Sequence, residues 1–455
     1  MMADRCKPAC FKAYDIRGQV PGQLDENLAR RIGLAAARAV GTGRWAVGWD
    51  CRLSSPGLAA ALAGGLAAGG ADVLELGMCG TEQVYHAVFS LGLAGGIMVT
   101  ASHNPVGDNG MKLVREGARP LSGDTGLDEL GALTLDPALA PAPRAGTISA
   151  ADPSPEYIAF LLEQVDVARL RPLRIVADSG NGCAGPIIDR LAASLPFEFI
   201  RLRHEPDGTF PQGVPNPLLP ENRGLTAEAV RRHDADLGLA WDGDFDRCFF
   251  FDEHGEFVEG YYLVGLLAAA TLRRLPGARI VHDPRLTWNT VDVVTRLGGV
   301  PVLNKTGHAF MKERMRAENA AYGGEMSAHH YFREFAFCDS GMLPWLLVAQ
   351  EMARTGRPLS ALVGEMQRAF PASGEINRRL ADPAAAIGRV EARWLTAARA
   401  VDRTDGLSLA FDAWRFNLRM SNTEPVLRLN VETRADPELL RTRTAELLAL
   451  IDGPA

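Results

Sequence analysis

The sequence lacks long apolar runs, and this absence separates it from membrane proteins. No uninterrupted apolar run reaches the roughly 18 residues that a membrane-spanning helix needs. The Ala- and Gly-rich stretch 59–71 is short and is typical of a packed helix. The start of the chain has no apolar segment of the kind found in signal peptides. We therefore expect no membrane partner and a soluble protein of the cytoplasm.

Cysteines are also few, and basic residues are outnumbered by acidic ones. The seven cysteines are an odd number spread over 455 residues, with neither the spacing of a zinc site nor a dense disulfide framework. We expect reduced thiols. The net charge is −7, whereas binding to nucleic acid requires concentrated Lys and Arg, so we expect no nucleic-acid partner. An anionic small molecule can still bind where basic residues are concentrated locally.

What the sequence has is a repeated alternation of helix and strand patterns, typical of mainly parallel sheets flanked by helices. The predicted elements are a helix at 25–40, a strand at 45–49, a helix from 55, a strand at 71–76, a helix at 81–91 and a strand at 96–100. Residues 134–155, rich in Ala, Pro, Ser and Asp, are predicted to be a linker. The alternation restarts at 173–178 and again near 260, where the last strand is expected to end near Tyr322.

The final segment has a different pattern. Its strands at 407–411, 414–419 and 426–432 follow one another without helices, and an amphipathic helix at 437–451 closes the chain. The length also exceeds that of one ordinary domain. We predict an α/β protein with three α/β domains and a C-terminal α+β domain. The predicted boundaries are 1–150, 151–253, 254–366 and 367–455.

Two polar clusters suggest chemistry. In Thr-Ala-Ser-His-Asn-Pro, Ser102 stands where a strand turns into a loop and could be a nucleophile or an ordinary turn residue, with His103 beside it. In Asp-Gly-Asp-Phe-Asp-Arg, the acids Asp242, Asp244 and Asp246 alternate, a set of hard oxygen ligands suited to Mg²⁺ or Ca²⁺. An EF-hand is a poor alternative because its sixth position, Arg247 here, requires glycine.

Two further clusters carry weaker signals on their own. Glu325 and Ser327, in Gly-Glu-Met-Ser-Ala-His-His, could bind two neighbouring sugar hydroxyls or begin a capped helix. The segment Arg-Met-Ser-Asn-Thr-Glu-Pro, which begins at Arg419, concentrates anion-binding residue types, with Arg428 shortly after it. A polar turn between two strands would also explain this last cluster.

Taken in order, these motifs and Phe-Lys-Ala-Tyr-Asp-Ile-Arg-Gly (11–18) resemble the α-D-phosphohexomutase family along essentially the whole chain, with the bacterial phosphomannomutase branch most similar. The resemblance implies four domains around a central cleft. It implies Mg²⁺ held by phosphorylated Ser102 and the three aspartates. It also implies further catalytic and substrate-binding residues. The implied catalytic residues are Ser102, His103, Lys112, Arg17 and Arg247. The implied substrate-binding residues are Tyr14, Arg285, His308, Glu325, Ser327, His329, Arg419, Ser421, Asn422, Thr423 and Arg428.

The implied reaction interconverts mannose 6-phosphate and mannose 1-phosphate through a phosphoserine enzyme and a hexose 1,6-bisphosphate, which also serves as activator. The resemblance further implies that the reaction supplies GDP-mannose for polysaccharide synthesis. The alternatives are a phosphoglucomutase or an enzyme with both activities. Asn422 and the Glu-Met-Ser sequence favour this mannose/glucose branch over the glucosamine branch. A metal-dependent sugar phosphatase and a sugar-phosphate sensor without turnover are weaker alternatives. The partners expected are hexose phosphates, for a monomer or small homo-oligomer.

Overall fold

The computed structural model describes residues 7–420 and 426–453. The chain divides into two compact units. The first contains residues up to 257 together with 329–356, and the second contains 258–328 together with the chain from 357 onward. None of the helices in the described part of the chain combines the length and the apolar character needed to cross a membrane.

The first unit begins with a mixed sheet. Its strands are β1 (Ile16–Gln19), β2 (Arg44–Trp49), β3 (Asp72–Met78), β4 (Gly95–Val99), β5 (Asp108–Arg115), β6 (Arg119–Pro120) and β7 (Ile148–Ala150). Its helices are α1 (Glu26–Ala39), α2 (Ser55–Ala68), α3 (Thr81–Ser90) and α4 (Leu127–Leu135). The strand order is β1-β5-β4-β2-β3-β7, with β6 on β5. β2 is parallel to β3 and β4, whereas β5 is antiparallel to β4.

Local sequence explains α1 and its packing. The Asp25 carboxylate caps the helix by accepting a hydrogen bond of 2.8 Å from the Leu28 amide. Ile32 and its helical neighbours are buried in the core of this sheet. α1 approaches α2 closely because Gly33 carries no side chain: a Cβ atom there would lie 2.2 Å from the Leu62 carbonyl oxygen. The two helices therefore pack backbone against backbone.

A second mixed sheet follows in the same unit, except for the last residue of its final strand. Its strands are β8 (Leu173–Asp178), β9 (Phe197–Leu202), β10 (Leu237–Trp241), β11 (Cys248–Phe251) and β12 (Phe257–Val258), in the order β12-β11-β10-β8-β9. Its helices are α5 (Ser154–Glu163), α6 (Gly185–Ala192) and α7 (Gly224–Arg232). β10 is parallel to β8 and antiparallel to β11. The turn between β10 and β11 therefore stands at the carboxyl end of a buried parallel strand, a usual place for ligands.

The second unit contains two groups of strands, and one later segment returns to the first unit. The elements of the first group are α8 (Gly260–Arg274), β13 (Arg279–His282), α9 (Trp288–Arg296), β14 (Val300–Leu303), α10 (His308–Glu318) and β15 (Tyr322–Gly324). β13 is parallel to both β14 and β15. The returning segment contains β16 (His330–Phe332), β17 (Cys338–Asp339) and α11 (Met342–Thr355).

The last part of the second unit is an antiparallel sheet covered by helices. Its elements are α12 (Leu359–Ala369), β18 (Ile376–Arg379), α13 (Pro383–Trp394), β19 (Ala400–Asp402), β20 (Leu407–Ala410), β21 (Trp414–Met420), β22 (Val426–Thr433) and α14 (Pro437–Ile451). The strand order is β18-β22-β21-β20-β19. α13 and α14 bury their apolar faces on this sheet, with Val390 and Leu447 in its core. This confirms the predicted α/β class with an α+β end.

Two details of local structure differ from the prediction. The segment at 134–155, predicted to be a linker without secondary structure, includes the three-residue strand β7, which pairs in parallel with β3 at the edge of the first sheet. Its side chains are all exposed, so it carries no apolar pattern that reveals a strand. The strand expected to end near Tyr322 instead begins there, because the two glycines after it continue the ladder with β13.

Candidate active site

Ser102 occupies a strained position in the loop between β4 and β5. Its φ is +49°, in the left-handed region that side chains with a Cβ atom disfavour. Buried Arg52 holds this loop by donating to its carbonyl oxygens, at 3.0 Å to Ser102, 2.6 Å to Asn104, 2.7 Å to Pro105 and 3.0 Å to Asp108. These bonds fix the backbone and aim the serine side chain.

The Ser102 hydroxyl joins a charged network. Its Oγ donates to Asp242 Oδ2 at 2.6 Å and accepts from Arg247 Nη2 at 3.1 Å. His103 Nδ1 lies 3.1 Å from the same oxygen. Arg247 also donates to Asp242 Oδ2, at 2.9 Å from Nε and 2.6 Å from Nη2. The structure thus brings the predicted nucleophile and the first aspartate of the acidic loop into direct contact.

The acidic loop between β10 and β11 forms a compact ligand set. Asp242, Asp244 and Asp246 are all buried, and each offers a carboxylate oxygen within 4.8 Å of the others. Gly243 permits this approach, since a Cβ atom there would lie 2.7 Å from the Ser102 carbonyl oxygen. Asp244 Oδ1 is buried and has no hydrogen-bond partner among the described residues. Hard oxygen ligands with an unused buried lone pair fit a divalent cation.

Basic residues offset the charge of this acidic set. Lys112, from β5, donates to Asp244 Oδ2 at 2.7 Å and also pairs with Asp246. Burial raises the pKa of Asp242 to about 6, although Arg247 opposes the shift. Burial also acts to raise the pKa of Asp244, but Lys112 holds it below the usual range. The ammonium group of Lys112 therefore supplies part of the positive charge that a cation would bring.

The remaining predicted residues of the first unit surround this network. Arg17, on β1, donates to Asp15 at 2.8 Å and to the Thr100 carbonyl at 3.1 Å. Burial and the positive charges of Arg247 and Arg17 lower the pKa of His103 well below its usual value, so the ring is neutral at neutral pH. His329 Nε2 lies 3.9 Å from Asp246 Oδ1. Tyr14 is half-buried before β1.

In the second unit, the predicted sugar-binding residues form a network of their own. Glu325 Oε1 accepts 2.9 Å from the Gly307 amide, next to His308 at the start of α10. Arg285 Nη2 lies 3.3 Å from Ser327 Oγ and 3.7 Å from Glu325 Oε1. Asp283 aims this guanidinium through a 2.7 Å bond. One arginine thus connects the carboxylate and the hydroxyl of the sugar-binding motif.

The predicted phosphate-binding arginines lie on neighbouring strands. Arg419 and Arg428 face each other in the antiparallel pair of β21 and β22. Both are paired with Glu375, which also contacts Arg285. Ser421, Asn422 and Thr423 lie outside the described residues, so their roles stay predictions.

The sequence reasoning missed several residues that position these groups. Arg52 follows β2, and Asp283 follows β13; both stand at the carboxyl ends of parallel strands, a signal that could have identified them. Thr81 donates to Asp244 from the start of α3. Glu375 carries no such signal, because it lies before an edge strand of an antiparallel sheet.

Four domain models of one known protein family match consecutive segments of the chain. Models of the phosphoglucomutase/phosphomannomutase family match as alpha/beta/alpha domain I at 8–133, domain II at 155–255, domain III at 259–370 and the C-terminal domain at 375–449. The chain belongs to this family. It is accordingly an isomerase of the phosphotransferase mutase type. This confirms the resemblance predicted from the motifs.

The similarity to individual relatives extends over nearly the full length of the chain. A protein of Xanthomonas campestris pv. campestris named phosphohexose mutases is 59% identical over 97% of this chain and 99% of its own. A phosphomannomutase of Escherichia coli is 57% identical, with 97% of this chain and 99% of the relative covered. Among solved structures, a phosphoglucomutase/phosphomannomutase family protein from Burkholderia thailandensis superposes with a TM-score of 0.87 at 33% identity, over 98% of both chains.

Proposed function

We propose that this enzyme interconverts mannose 6-phosphate and mannose 1-phosphate through a phosphorylated Ser102. The contact of Ser102 Oγ with Asp242 and Arg247, inside the buried acidic set, carries the proposal. The full-length relatives named phosphomannomutase favour mannose as the sugar. We further propose that the mannose 1-phosphate formed is used to make GDP-mannose for polysaccharide synthesis.

The chemistry consists of two transfers. The bond between phosphorus and Ser102 Oγ breaks while a bond forms to the free hydroxyl of the hexose phosphate, giving a 1,6-bisphosphate and a free serine. After the bisphosphate turns end for end, its other phosphoryl group moves to the serine oxygen. In the first transfer the proton lost by the sugar hydroxyl ends on the serine oxygen as it leaves phosphorus, and in the second transfer the serine proton ends on the leaving sugar oxygen. No phosphate is gained or lost, and added hexose 1,6-bisphosphate activates by phosphorylating the free serine.

Residues around Ser102 supply positive charge and a site for the proton. Phosphoryl transfer depends on positioning and on stabilising charge on the transferring oxygens. Arg247 donates at the serine oxygen, and we assign it to the transferring group. Neutral His103 is the candidate for accepting the proton of the sugar hydroxyl. Lys112 and Arg17 are candidates for donating a proton or a hydrogen bond, because, against the effect of burial, the neighbouring carboxylates raise their pKa. Tyr14 and His329 are proposed to contact substrate.

The acidic set is proposed to hold Mg²⁺ through Asp242, Asp244 and Asp246 together with the phosphoserine. The fit rests on three buried carboxylates and on Asp244 Oδ1, which has no hydrogen-bond partner among the described residues. When bound, the ion offsets the negative charge of the phosphoserine and of the transferring oxygens. Thr81 and Lys112, whose Oγ1 and Nζ atoms are 3.5 Å apart, both donate to Asp244 Oδ2 and orient that carboxylate.

The second unit is proposed to recognise the substrate. Glu325 and Ser327 would contact the 3- and 4-hydroxyls, which a single motif can bind in either orientation of the sugar. Arg285, Arg419 and Arg428, with Ser421, Asn422 and Thr423, would bind the phosphate that is not reacting. His308 is also proposed to contact the substrate; it follows Gly307, whose amide donates to Glu325. An anionic substrate thus finds local positive charge on a protein whose net charge is −7.

The sugar specificity is tested by comparing kcat/KM for mannose 1-phosphate and glucose 1-phosphate, with a hexose 1,6-bisphosphate present. We expect the mannose compound to be preferred. Equal values would indicate a dual-specificity enzyme, and a strong preference for glucose would contradict the proposal in favour of a phosphoglucomutase. Release of inorganic phosphate at the rate of substrate loss would instead identify a phosphatase.

The phosphoserine is tested by intact-mass measurement and site mapping before and after incubation with hexose 1,6-bisphosphate. We expect one phosphate on Ser102 and none on a Ser102→Ala variant, which should lose isomerase activity by at least a thousandfold because no covalent step remains. Ser122→Ala, a buried serine on a different loop, serves as the control and should be phosphorylated like the wild type. Isomerase activity that survives in Ser102→Ala would refute this mechanism.

A further inference from the structure

Glu375 lies among three guanidinium groups in the second unit. Its Oε2 is 3.5 Å from Arg285 Nη1 and 3.5 Å from Arg419 Nη2, and its Oε1 is 3.4 Å from Arg428 Nη1. The carboxylate side chain is 9% exposed. Burial acts to raise the pKa of Glu375, but the three arginines hold it below the usual value, so the group is an anion at neutral pH.

The strands force this arrangement of like charges. β21 and β22 place Arg419 directly opposite Arg428, and like charges in opposed positions repel each other. Burial and the positive charges of Arg285 and Arg428 lower the pKa of Arg419. An anion is therefore required at this position even before a ligand arrives, and Glu375 supplies it.

The position of Glu375 is set by the backbone. It follows Gly374, whose φ is +67° and whose carbonyl accepts from Asn430 Nδ2 at 3.0 Å. Ser373 exchanges hydrogen bonds with Val431 on β22. These contacts tie the residues before β18 to the same strand that carries Arg428, so the carboxylate stays in register with the arginines.

Glu375 balances the charge of these arginines without saturating their donors. Charge-assisted hydrogen bonds are usually about 2.7–2.9 Å long, whereas all three contacts of Glu375 are 3.4 Å or longer. The Nε groups of Arg285, Arg419 and Arg428 are buried and find no acceptor among the described residues. By contrast, Asp283 holds Arg285 Nη2 at 2.7 Å. Donor capacity thus remains for a second anion.

We propose that Glu375 is a resident counter-ion that positions the three arginines and competes with the phosphate of the substrate for them. The inference rests on the proposed function and explains a requirement of it. The arginines must bind one phosphate of the bisphosphate intermediate during the first transfer and then release it so that the intermediate can turn. A fixed negative charge beside the bound phosphate weakens the hold, which lowers affinity and speeds release.

The test compares Glu375→Gln, which keeps shape and removes charge, with Glu375→Asp, which keeps charge. Binding of inorganic phosphate to the full chain is measured by calorimetry, and Arg428→Met identifies the binding that belongs to this site. At an effective dielectric constant near 20, removing a unit charge about 4 Å from the ligand should tighten binding at least tenfold. Glu375→Asp should stay close to the wild type.

Steady-state kinetics provide a second measurement. In Glu375→Gln we expect both KM and kcat for the hexose phosphate to fall, with less free bisphosphate released during turnover. A purely structural role would lower kcat and leave phosphate affinity unchanged or weaker, and either result would overturn the inference. If the wild type isomerises hexose phosphates while Glu375→Gln binds phosphate no more tightly, only this inference fails. If the wild type neither isomerises them nor binds phosphate, the proposed function fails as well.

Discussion

At the scale of single residues, the geometry of Ser102 depends on one side chain that is distant in sequence. A left-handed backbone at a residue with a Cβ atom costs about 1–3 kcal/mol and persists only where neighbouring groups enforce it. Arg52 does so with hydrogen bonds to five carbonyl groups of the loop. Its own burial is offset by Asp50, whose carboxylate lies 3.4 Å from Arg52 Nε.

Arg52→Met tests this dependence. The change removes the guanidinium donors from the carbonyl groups of the Ser102 loop and leaves Asp50 without its ion-pair partner. We expect kcat to fall roughly 10- to 100-fold through misplacement of the nucleophile, with a loss of about 3–5 kcal/mol in the free energy of unfolding. The measurements are the isomerase rate and urea denaturation.

The matched control for Arg52→Met is Arg44→Met. Arg44 is an exposed arginine on the strand that leads to Arg52, and its loss should change neither quantity appreciably. A normal kcat in folded Arg52→Met protein would show that Ser102 keeps its place without this guanidinium.

At the scale of elements, Glu82 connects two helices of the first unit. It lies in the first turn of α3 and accepts from the amides of Gly341 and Met342, at 3.1 and 3.2 Å, and from the Ser340 hydroxyl. These groups begin α11, whose amides have no acceptor within the helix. Burial raises the pKa of Glu82 to about 8, although these hydrogen bonds oppose the shift.

A dependence of stability on pH follows from the Glu82 shift. The folded-state pKa, about 8, is higher than the ordinary value of 4.5. The contribution of Glu82 to stability is therefore fully present below pH 4.5 and is lost as the pH rises through 8. Glu82→Gln mimics the protonated acid and should therefore remove this dependence of stability on pH. At pH 8 its folded state should be more stable than that of the wild type by a few kcal/mol.

Urea denaturation of wild type and Glu82→Gln at pH 5, 6.5 and 8 measures this effect. The two proteins should have similar stability at pH 5 and diverge as the pH rises. Glu351→Gln is a suitable control. Like Glu82, Glu351 is a buried glutamate, but it lies on α11 and forms an ion pair with Arg354 at 2.9 Å. A constant difference between wild type and Glu82→Gln across the range would contradict the assignment.

At the scale of the whole molecule, the charge balance makes folding of the first unit sensitive to cations. Its acidic set brings three buried carboxylates together, in a chain that already has seven more acidic than basic residues. Lys112 offsets only part of this charge. A divalent ion that binds the folded state alone raises stability by mass action.

We expect Mg²⁺ to raise the midpoint of thermal unfolding, corresponding to about 2.7 kcal/mol at a hundred times its Kd, and removal by a chelator to abolish isomerase activity. Asp244→Asn should lose the Mg²⁺-dependent shift. Asp412→Asn, at a carboxylate that is 80% exposed, should retain it. An undiminished shift in Asp244→Asn would place the ion elsewhere.

The sequence by itself determined the class of fold, the order of the motifs and the types of residue at the site. Apolar periodicity and polar turns are local properties, so they can be recognised without coordinates: α14 and β8 were predicted with their observed bounds. Edge strands such as β7 escaped prediction because exposed side chains carry no apolar period. The reaction implied by the motifs agrees with the family to which the chain belongs.

Only the tertiary structure decided which residues hold the chemistry in place. Ser102 and Asp242 are 140 positions apart and meet at 2.6 Å. Arg52 and Glu375 carry no motif, since their roles depend on carbonyl groups and guanidinium groups that distant strands bring together. Hydrogen bonds and charge interactions act over a few ångströms in space, whereas a linear pattern records only neighbours along the chain.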